Sequence, residues 1–354
     1  MKKSIGEFLG KILPIGSIKD HPSLLSKSFI GIEVEVEGYN RQQLAHWDAI
    51  EDGSLRNSGV EFVLSKPLAG AALVDAIEEI DNIFSRKAPS KSFRTSTHIH
   101  VDVTDMYYDE YIRFVLALYS FEPLFFAVNS VDRTSSNFCL PLKKSQGLIK
   151  GLSHAIEPNR GLEPLHSIDR LSSCWPKYSS INLASTQFLG TIELRCYECM
   201  TDKESLLNAI NRLLVIKNLS QEFEGSYRQF LKHIKGLDYS KFFGNSFDKG
   251  FEFNRKDVNI RLLQDAILLR RPKIKRGAVR RVSTTELPTN EAAAREHLLN
   301  SREFFVRDNP WSISEVDNSS LAPPPPAPIS LSDIERSIAG TQARNNNPSR
   351  RTPW

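Results

Sequence analysis

The sequence predicts an α+β fold: an antiparallel sheet with helices packed on one face and charged side chains turned to the other. Three segments carry this reading. FIGIEVEVEGY from Phe29, THIHVDV from Thr97 and TIELRCY from Thr191 each alternate apolar and polar residues with the period of a strand. Each puts aliphatic residues on one side and carboxylates or imidazoles on the other, the pattern of a sheet covered on a single face. Between and after them, apolar residues recur at helical spacing.

Residues 1 to 27 read as a short amphipathic lead-in. In the first strand Ile32, Val34 and Val36 share one face, and Glu33, Glu35 and Glu37 the other. Asp52-Gly53-Ser54 signals a turn, followed by a short β-rich run from Val60 to Leu64. Leu73, Ile77, Ile80 and Phe84 predict a helix over 70–85. The next strand opposes Ile99, Val101 and Val103 to His98, His100 and Asp102, and a helix is predicted from Asp109 to Glu122, stopping before Pro123. A loop-rich stretch covers 127–176. The last strand sets Ile192, Leu194 and Cys196 against Thr191, Glu193, Arg195 and Tyr197, and a helix from Lys203 to Leu219 closes the regular part.

Beyond 270 the composition changes. RRPKIKRGAVRR is basic, a short helical stretch is expected from Asn290 to Val306, and LAPPPPAPIS favours extended polyproline II. The predicted organisation is therefore a lead-in (1–27), a catalytic-type domain (28–271) and a largely disordered basic, Pro-rich tail (272–354). From Arg270 onward 14 Lys and Arg face 9 Asp and Glu, a local charge of +5, which leaves 32 against 33, or −1, in the rest of a chain whose net charge is +4. The basic character belongs to the tail, which makes contact with a protein or nucleic acid an accessory role of that segment.

Four cysteines in 354 residues are too few for a disulfide scaffold, and one Cys196-x-x-Cys199 pair without a second is a weak zinc signal. No apolar run has the length of a membrane span, and Glu7 and Lys11 interrupt the N-terminal apolar stretch, so neither membrane association nor a secretory leader is expected. The expected setting is cytoplasmic and reducing. The absence of a GxxxxGK[ST] loop excludes a P-loop enzyme.

The polar strand faces gather Glu33, Glu35, His98, His100, Asp102, Glu193 and Arg195, and Glu61 on the short strand can join them. Any one of these pairs alone also reads as a solvated strand face or a surface ion pair. Their occurrence on strands of one pattern favours a shared site. Several facing carboxylates raise one another's pKa unless a cation intervenes, and an oxygen-rich set with an imidazole suits Mg2+ or Mn2+ better than zinc. Arg195 adds a permanent cation suited to a phosphate or carboxylate oxygen.

In order, GIEVEVEG, EDGSL with GVEFVLSKPL, THIHVDV, and YSSINL with GTIELRCYECMTD resemble the amidoligase family of carboxylate–amine ligases, over roughly residues 28 to 220. The resemblance implies a glutamine-synthetase-like fold, a curved antiparallel sheet with helices on its outer face. It implies metal ligation by Glu33, Glu35, Glu61, His98 and Glu193. It gives catalytic charge stabilisation to Arg195 and Arg133, a base or ligand role to Glu61, and nucleotide or substrate contacts to Asp52, Ser54, His100, Lys177, Asn182 and Arg195. The implied reaction is ATP-dependent amide or peptide bond formation through an acyl phosphate, between a carboxylate of an amino acid, peptide or protein and an amine. Two departures stand out. Ser96 and Thr97 occupy a region where relatives carry a glycine, and Lys177 stands where an arginine is frequent. The alternative reading is a catalytically inactive relative that serves as a binding or structural protein, or recruits partners through its tail.

Overall fold

In a computed structural model the alternating segments become neighbours in one six-stranded sheet of order β2 (Trp47–Glu51), β3 (Val60–Leu64), β1 (Ile30–Val36), β4 (Ser96–Asp102), β6 (Thr191–Glu198) and β5 (Ile181–Asn182), with every paired strand antiparallel. The structure describes residues 3–11, 18–56, 59–130, 132–144, 151–152, 155–156, 167–168, 171–172, 178–254 and 258–268. The tail, with its expected helix and polyproline run, and Lys177 lie outside the described residues.

The predicted strands are β1 (Ile30–Val36), β3 (Val60–Leu64), β4 (Ser96–Asp102) and β6 (Thr191–Glu198). Two more join them: β2 (Trp47–Glu51), which completes a hairpin with β3 through the Asp52 turn, and the two-residue edge strand β5 (Ile181–Asn182). The aliphatic face of the sheet is sealed by α2 (Gly70–Arg86), α3 (Tyr108–Ala127) and α5 (Lys203–Glu222), with α4 (Ala184–Leu189) leading into β6. Ile32, Val34, Ile99, Val101, Ile192 and Leu194 are all buried in this layer, as the alternation requires.

Two glycines fix the chain at points where no other residue fits. Gly70 opens α2 at φ +58°, and a Cβ there would stand 2.1 Å from the carbonyl oxygen of Lys19. Gly190 ends α4 at φ +73°, where a Cβ would lie 2.5 Å from Cγ2 of Thr104, and its carbonyl accepts from Val103 at 2.9 Å. That contact sets where β6 enters the sheet beside β4.

Four expectations are corrected. First, α3 does not stop before Pro123 but runs to Ala127 with the proline inside. Proline leaves the carbonyl four residues back without its helical partner. Here that carbonyl, of Tyr119, accepts from Asn259 Nδ2 at 3.3 Å, and the neighbouring Ser120 carbonyl accepts from Asn259 N at 3.0 Å. The partner comes from 136 positions downstream or more, so no local signal announces it. Second, the regular part continues beyond α5 through α6 (Tyr227–Gly236), α7 (Tyr239–Phe243) and α8 (Ile260–Leu268). Ser226 and Gln229 form a capping box at α6, and Phe121, Tyr239, Phe243, Phe247 and Phe253 join in an aromatic cluster.

Third, the lead-in contains a docked helix, α1 (Ile5–Leu9), with Ile5 fully buried and its amide donating to Met106 O at 2.9 Å. Fourth, Tyr197 does not share the face of Glu193 and Arg195. Thr97 pairs with Tyr197 but Ile99 pairs with Leu194, so β6 carries one extra residue opposite His98. Such a bulge reverses the alternation beyond it. Tyr197 turns to the helices, its ring 6.1 Å from that of Phe125 on α3.

Candidate metal centre and active site

The register of the sheet lines up the polar residues one strand after another. Glu61 pairs with Glu35 across β3 and β1, Glu33 with His98 across β1 and β4, His100 with Glu193 across β4 and β6, and Glu193 with Asn182 across β6 and β5. Directly opposed residues in antiparallel strands share a face, so this register alone gathers the side chains. The β6 bulge falls beside His98, where an extra residue re-aims side chains at the centre of the cluster.

The expectation that this face lies open is corrected. His98 and His100 are each 3% exposed and Glu193 4%, with Glu35 buried and Glu33 and Glu61 half-buried. Buried ionisable groups need partners, and these have one another. His98 Nδ1 lies 2.8 Å from Glu33 Oε2 and 3.7 Å from Glu193 Oε1, while its Nε2 lies 3.9 Å from Glu35 Oε1. His100 Nδ1 meets Thr191 Oγ1 at 3.0 Å. Arg195 pairs with Glu193 through Nη1, and Asn182 Nδ2 donates to Glu193 Oε2 at 2.7 Å.

The electrostatics follow from these contacts. Burial opposes ionisation of Glu33, but the close approach and charge of His100 and the hydrogen bond and charge of His98 outweigh it and hold the carboxyl well below its usual range. Glu193 is likewise lowered, with His100 and Arg195 overcoming burial. Burial disfavours the charged form of His100, yet Glu33 and Glu193 raise its pKa; Arg195 is raised by Glu193 in the same way. Glu61 goes in the opposite direction, pushed up to about 8 by burial and by the charges of Glu33, Glu35 and Asp52.

This donor set fits a hard divalent cation. One ligand atom from each of Glu33, His98 and Glu193 lies within 4.8 Å of the others, and the same holds for Glu35, Glu61 and His98. Glu33, Glu35, Glu61 and Glu193 converge on His98, and the buried Nε2 of His100, 3.3 Å from Glu33 Oε1, has no partner in hydrogen-bond geometry.

The remaining sequence candidates lie farther out. Asp52 and Ser54 bond to each other at the β2–β3 turn, with Ser54 N to Asp52 Oδ1 at 2.8 Å. Arg133 is buried and donates Nη1 to the Thr95 carbonyl at 3.0 Å, anchoring its loop at the start of β4. Asp102 leaves the cluster: its carboxylate accepts from the amide and hydroxyl of Thr104 at 3.0 and 2.8 Å, closing a turn. Cys196 and Cys199 are buried free thiols.

Two participants were missed. The hydroxyl of Ser96 bonds Glu35 Oε2 and lies 2.9 Å from His98 Nε2, and Thr191 orients His100. Ser96 thus links two cluster members in the region where the resemblance sets a glycine. The alternation Ser96-x-His98-x-His100 carried that signal in the sequence.

A buried, oxygen-rich polar sheet face with one imidazole between two carboxylate groups and an arginine alongside defines a candidate metal-dependent enzyme. Residues 59–216, somewhat less than half of the chain, match the family model described as "Putative amidoligase enzyme". Glu33 and Glu35 on β1 lie upstream of the matched segment. No curated protein matches the chain. Among solved structures, the chain is similar to a bifunctional glutathione synthetase from Pasteurella multocida at 11% identity and a TM-score of 0.30, over 68% of this chain and 50% of that one. The chain thus spans half the length of that protein, and so loose an overlap assigns neither fold nor activity. Among the described residues no helix is long and apolar enough to cross a membrane.

Proposed function

We propose that this chain is an ATP-dependent carboxylate–amine ligase that joins a carboxylate to an amine through an acyl phosphate. The observation that carries the reading is the register-aligned cluster of Glu33, Glu35, Glu61, His98 and Glu193 with Arg195 at its side. The family-model match over 59–216 supports the class of bond formed. The antiparallel sheet with helices on its aliphatic face is the arrangement expected of a glutamine-synthetase-like fold, which we propose for this chain.

In this reading Glu33, His98 and Glu193 hold one divalent cation, and Glu35, Glu61 and His98 border a second position for a cation. A bound magnesium or manganese ion supplies charge neutralisation for nucleotide phosphates. Arg195, already fixed by Glu193, offers a guanidinium to the phosphoryl group or the substrate carboxylate. Asn182 holds Glu193 from the β5 edge, and Thr191 orients His100. Arg133, Asp52 and Ser54 contribute from positions farther out, and Lys177 contributes a nucleotide or substrate contact. The folded domain, 28–271, carries the activity, with 272–354 as an appendage for partner contact. Three free buried thiols, Cys139, Cys196 and Cys199, support a reducing, cytoplasmic setting.

The test follows ADP release with ATP and magnesium across a panel of amino acids and peptides, using Glu193→Ala as the control. A carboxylate and amine pair that stimulates release in the parent but not in the variant supports the reading. Equal activity in the two proteins overturns the site assignment.

A further inference from the structure

Next to the Glu35 and Glu61 end of the cluster stands a second group of residues that the ligase reading leaves unused. Phe93 is 61% exposed, although nothing in core packing requires a phenyl ring there. The guanidinium carbons of Arg56 and Arg94 lie 5.8 and 5.5 Å from its ring centroid, within cation–π range. Arg94 Nη1 donates to the Ser54 carbonyl at 2.7 Å, whereas its buried Nε has no hydrogen-bond partner. Among the described residues, neither guanidinium is paired with a carboxylate.

Short connections tie this group to the cluster. Arg94 precedes by two residues Ser96, whose hydroxyl bonds Glu35. The backbone amide of Arg56 donates at 2.9 Å to Glu37, which directly follows β1, two residues after Glu35. The Ser54 carbonyl that holds Arg94 belongs to the turn leading into β3, the strand of Glu61.

We propose that Arg56, Phe93 and Arg94 form an anion-receiving site for one end of an extended substrate that bears oxyanions. The proposal rests on the ligase reading for the identity of the second end, which lies at the cation held by the carboxylates. Two guanidiniums sharing one ring repel each other, and an oxyanion between them relieves that repulsion. With Arg94 Nη1 bonded to Ser54, Nη2 of Arg94 and the guanidinium of Arg56 remain to donate to an oxyanion, the chemistry by which arginine takes phosphate or carboxylate. The ring excludes water from one side of each contact, which strengthens it. Such a ligand is a polyphosphate chain or a molecule with a second carboxylate. Both share the oxyanion chemistry.

Titration calorimetry separates the two sources. Inorganic tripolyphosphate and glutarate are titrated into the full chain freed of metal, then again with magnesium. The parent is expected to bind at least one of them, and Arg56→Gln and Arg94→Gln each to weaken that binding about tenfold, the scale of one lost charge-assisted hydrogen bond. Phe93→Leu is expected to weaken it less. Sensitivity of tripolyphosphate binding assigns the site to nucleotide phosphates, and sensitivity of glutarate binding alone assigns it to a substrate carboxylate; either supports the proposal. Arg56 is exposed, so its substitution reads binding without disturbing the fold, and thermal melting checks Arg94→Gln. A parent that binds neither probe, or variants that bind as the parent does, overturns the proposal. The metal-free titration requires no turnover, so this result stands apart from the ADP assay that tests the ligase reading.

Discussion

Two regions of this molecule bury carboxylates, and they neutralise them differently. Glu122 on α3 sits alone, accepting from the Ser180 hydroxyl, from Leu142 N at 2.7 Å and from Asn259 Nδ2 at 3.4 Å. Those donors satisfy its oxygens but bring no full positive charge into contact, and burial outweighs them, pushing its pKa up to about 7. On the sheet face, Glu33 and Glu193 are kept ionised by His98, His100 and Arg195, at the cost of crowding that drives Glu61 to about 8. Neutral donors let a buried acid answer burial by keeping its proton. A set of acids kept ionised in a buried site by cationic side chains is a stronger sign of chemistry than a lone acid that keeps its proton.

The sharpest way to break this contrast is to remove one acid from each region. Glu193→Ala takes away a proposed ligand and the partner of Arg195, and ADP release should fall by roughly 1,000-fold, equivalent to about 4 kcal/mol of barrier. Glu122→Gln keeps the shape and the neutral state, and should leave release within about twofold of the parent, the change expected away from the chemistry. A loss of activity in Glu122→Gln as deep as in Glu193→Ala would erase the distinction.

The second test uses pH. Between the ordinary carboxyl value of 4.5 and about 7, folded Glu122 keeps a proton that the unfolded chain has lost. Its contribution therefore makes stability fall as pH rises through that window and stay level above it, by at most about 3 kcal/mol. Urea unfolding at pH 5 and pH 8 should show this slope in the parent and a smaller one in Glu122→Gln. An unchanged slope in the variant would mean that Glu122 titrates normally.

A third test asks whether the sheet face gains what Glu122 does not need. Magnesium or manganese at about 100 times its dissociation constant should stabilise the parent by about 2.7 kcal/mol, read as a higher melting temperature that chelator reverses. Glu33→Gln should lose most of that gain and Glu122→Gln none of it. Equal gains in all three proteins would put the cation elsewhere.

The difference between the regions was only half legible in the sequence. Alternation in IGIEVEV, THIHVD and TIELRC exposes which side of each strand is polar, and antiparallel pairing then brings Glu33, His98, His100 and Glu193 together. Hence the cluster could be read in advance, as could Ser96, which lies on the same alternating face. The bulge opposite His98 could not, because an extra residue depends on strand pairing, and it carried Tyr197 to the other side. Glu122 gave no signal at all: it sits in the apolar helix LALYSFEPLFF, and its partners Leu142, Ser180 and Asn259 are far away in sequence. The tail was prominent by composition but lies outside the described residues.

The smallest effect tests the seam of the Glu122 region. Asn259 Nδ2 serves the Tyr119 carbonyl, deprived of its helical donor by Pro123, and also reaches Glu122. Asn259→Ala should cost about 1–2 kcal/mol, the penalty for a buried acceptor left without its donor. Pro123→Ala restores a backbone N–H to the helix, so the same substitution made in that background should cost less, and the shortfall measures the coupling between Asn259 and the proline site. Chemical denaturation of the four proteins gives that energy directly. If Asn259→Ala costs the same with and without Pro123, the asparagine serves Glu122 and not the open carbonyl, and α3 tolerates its proline for another reason.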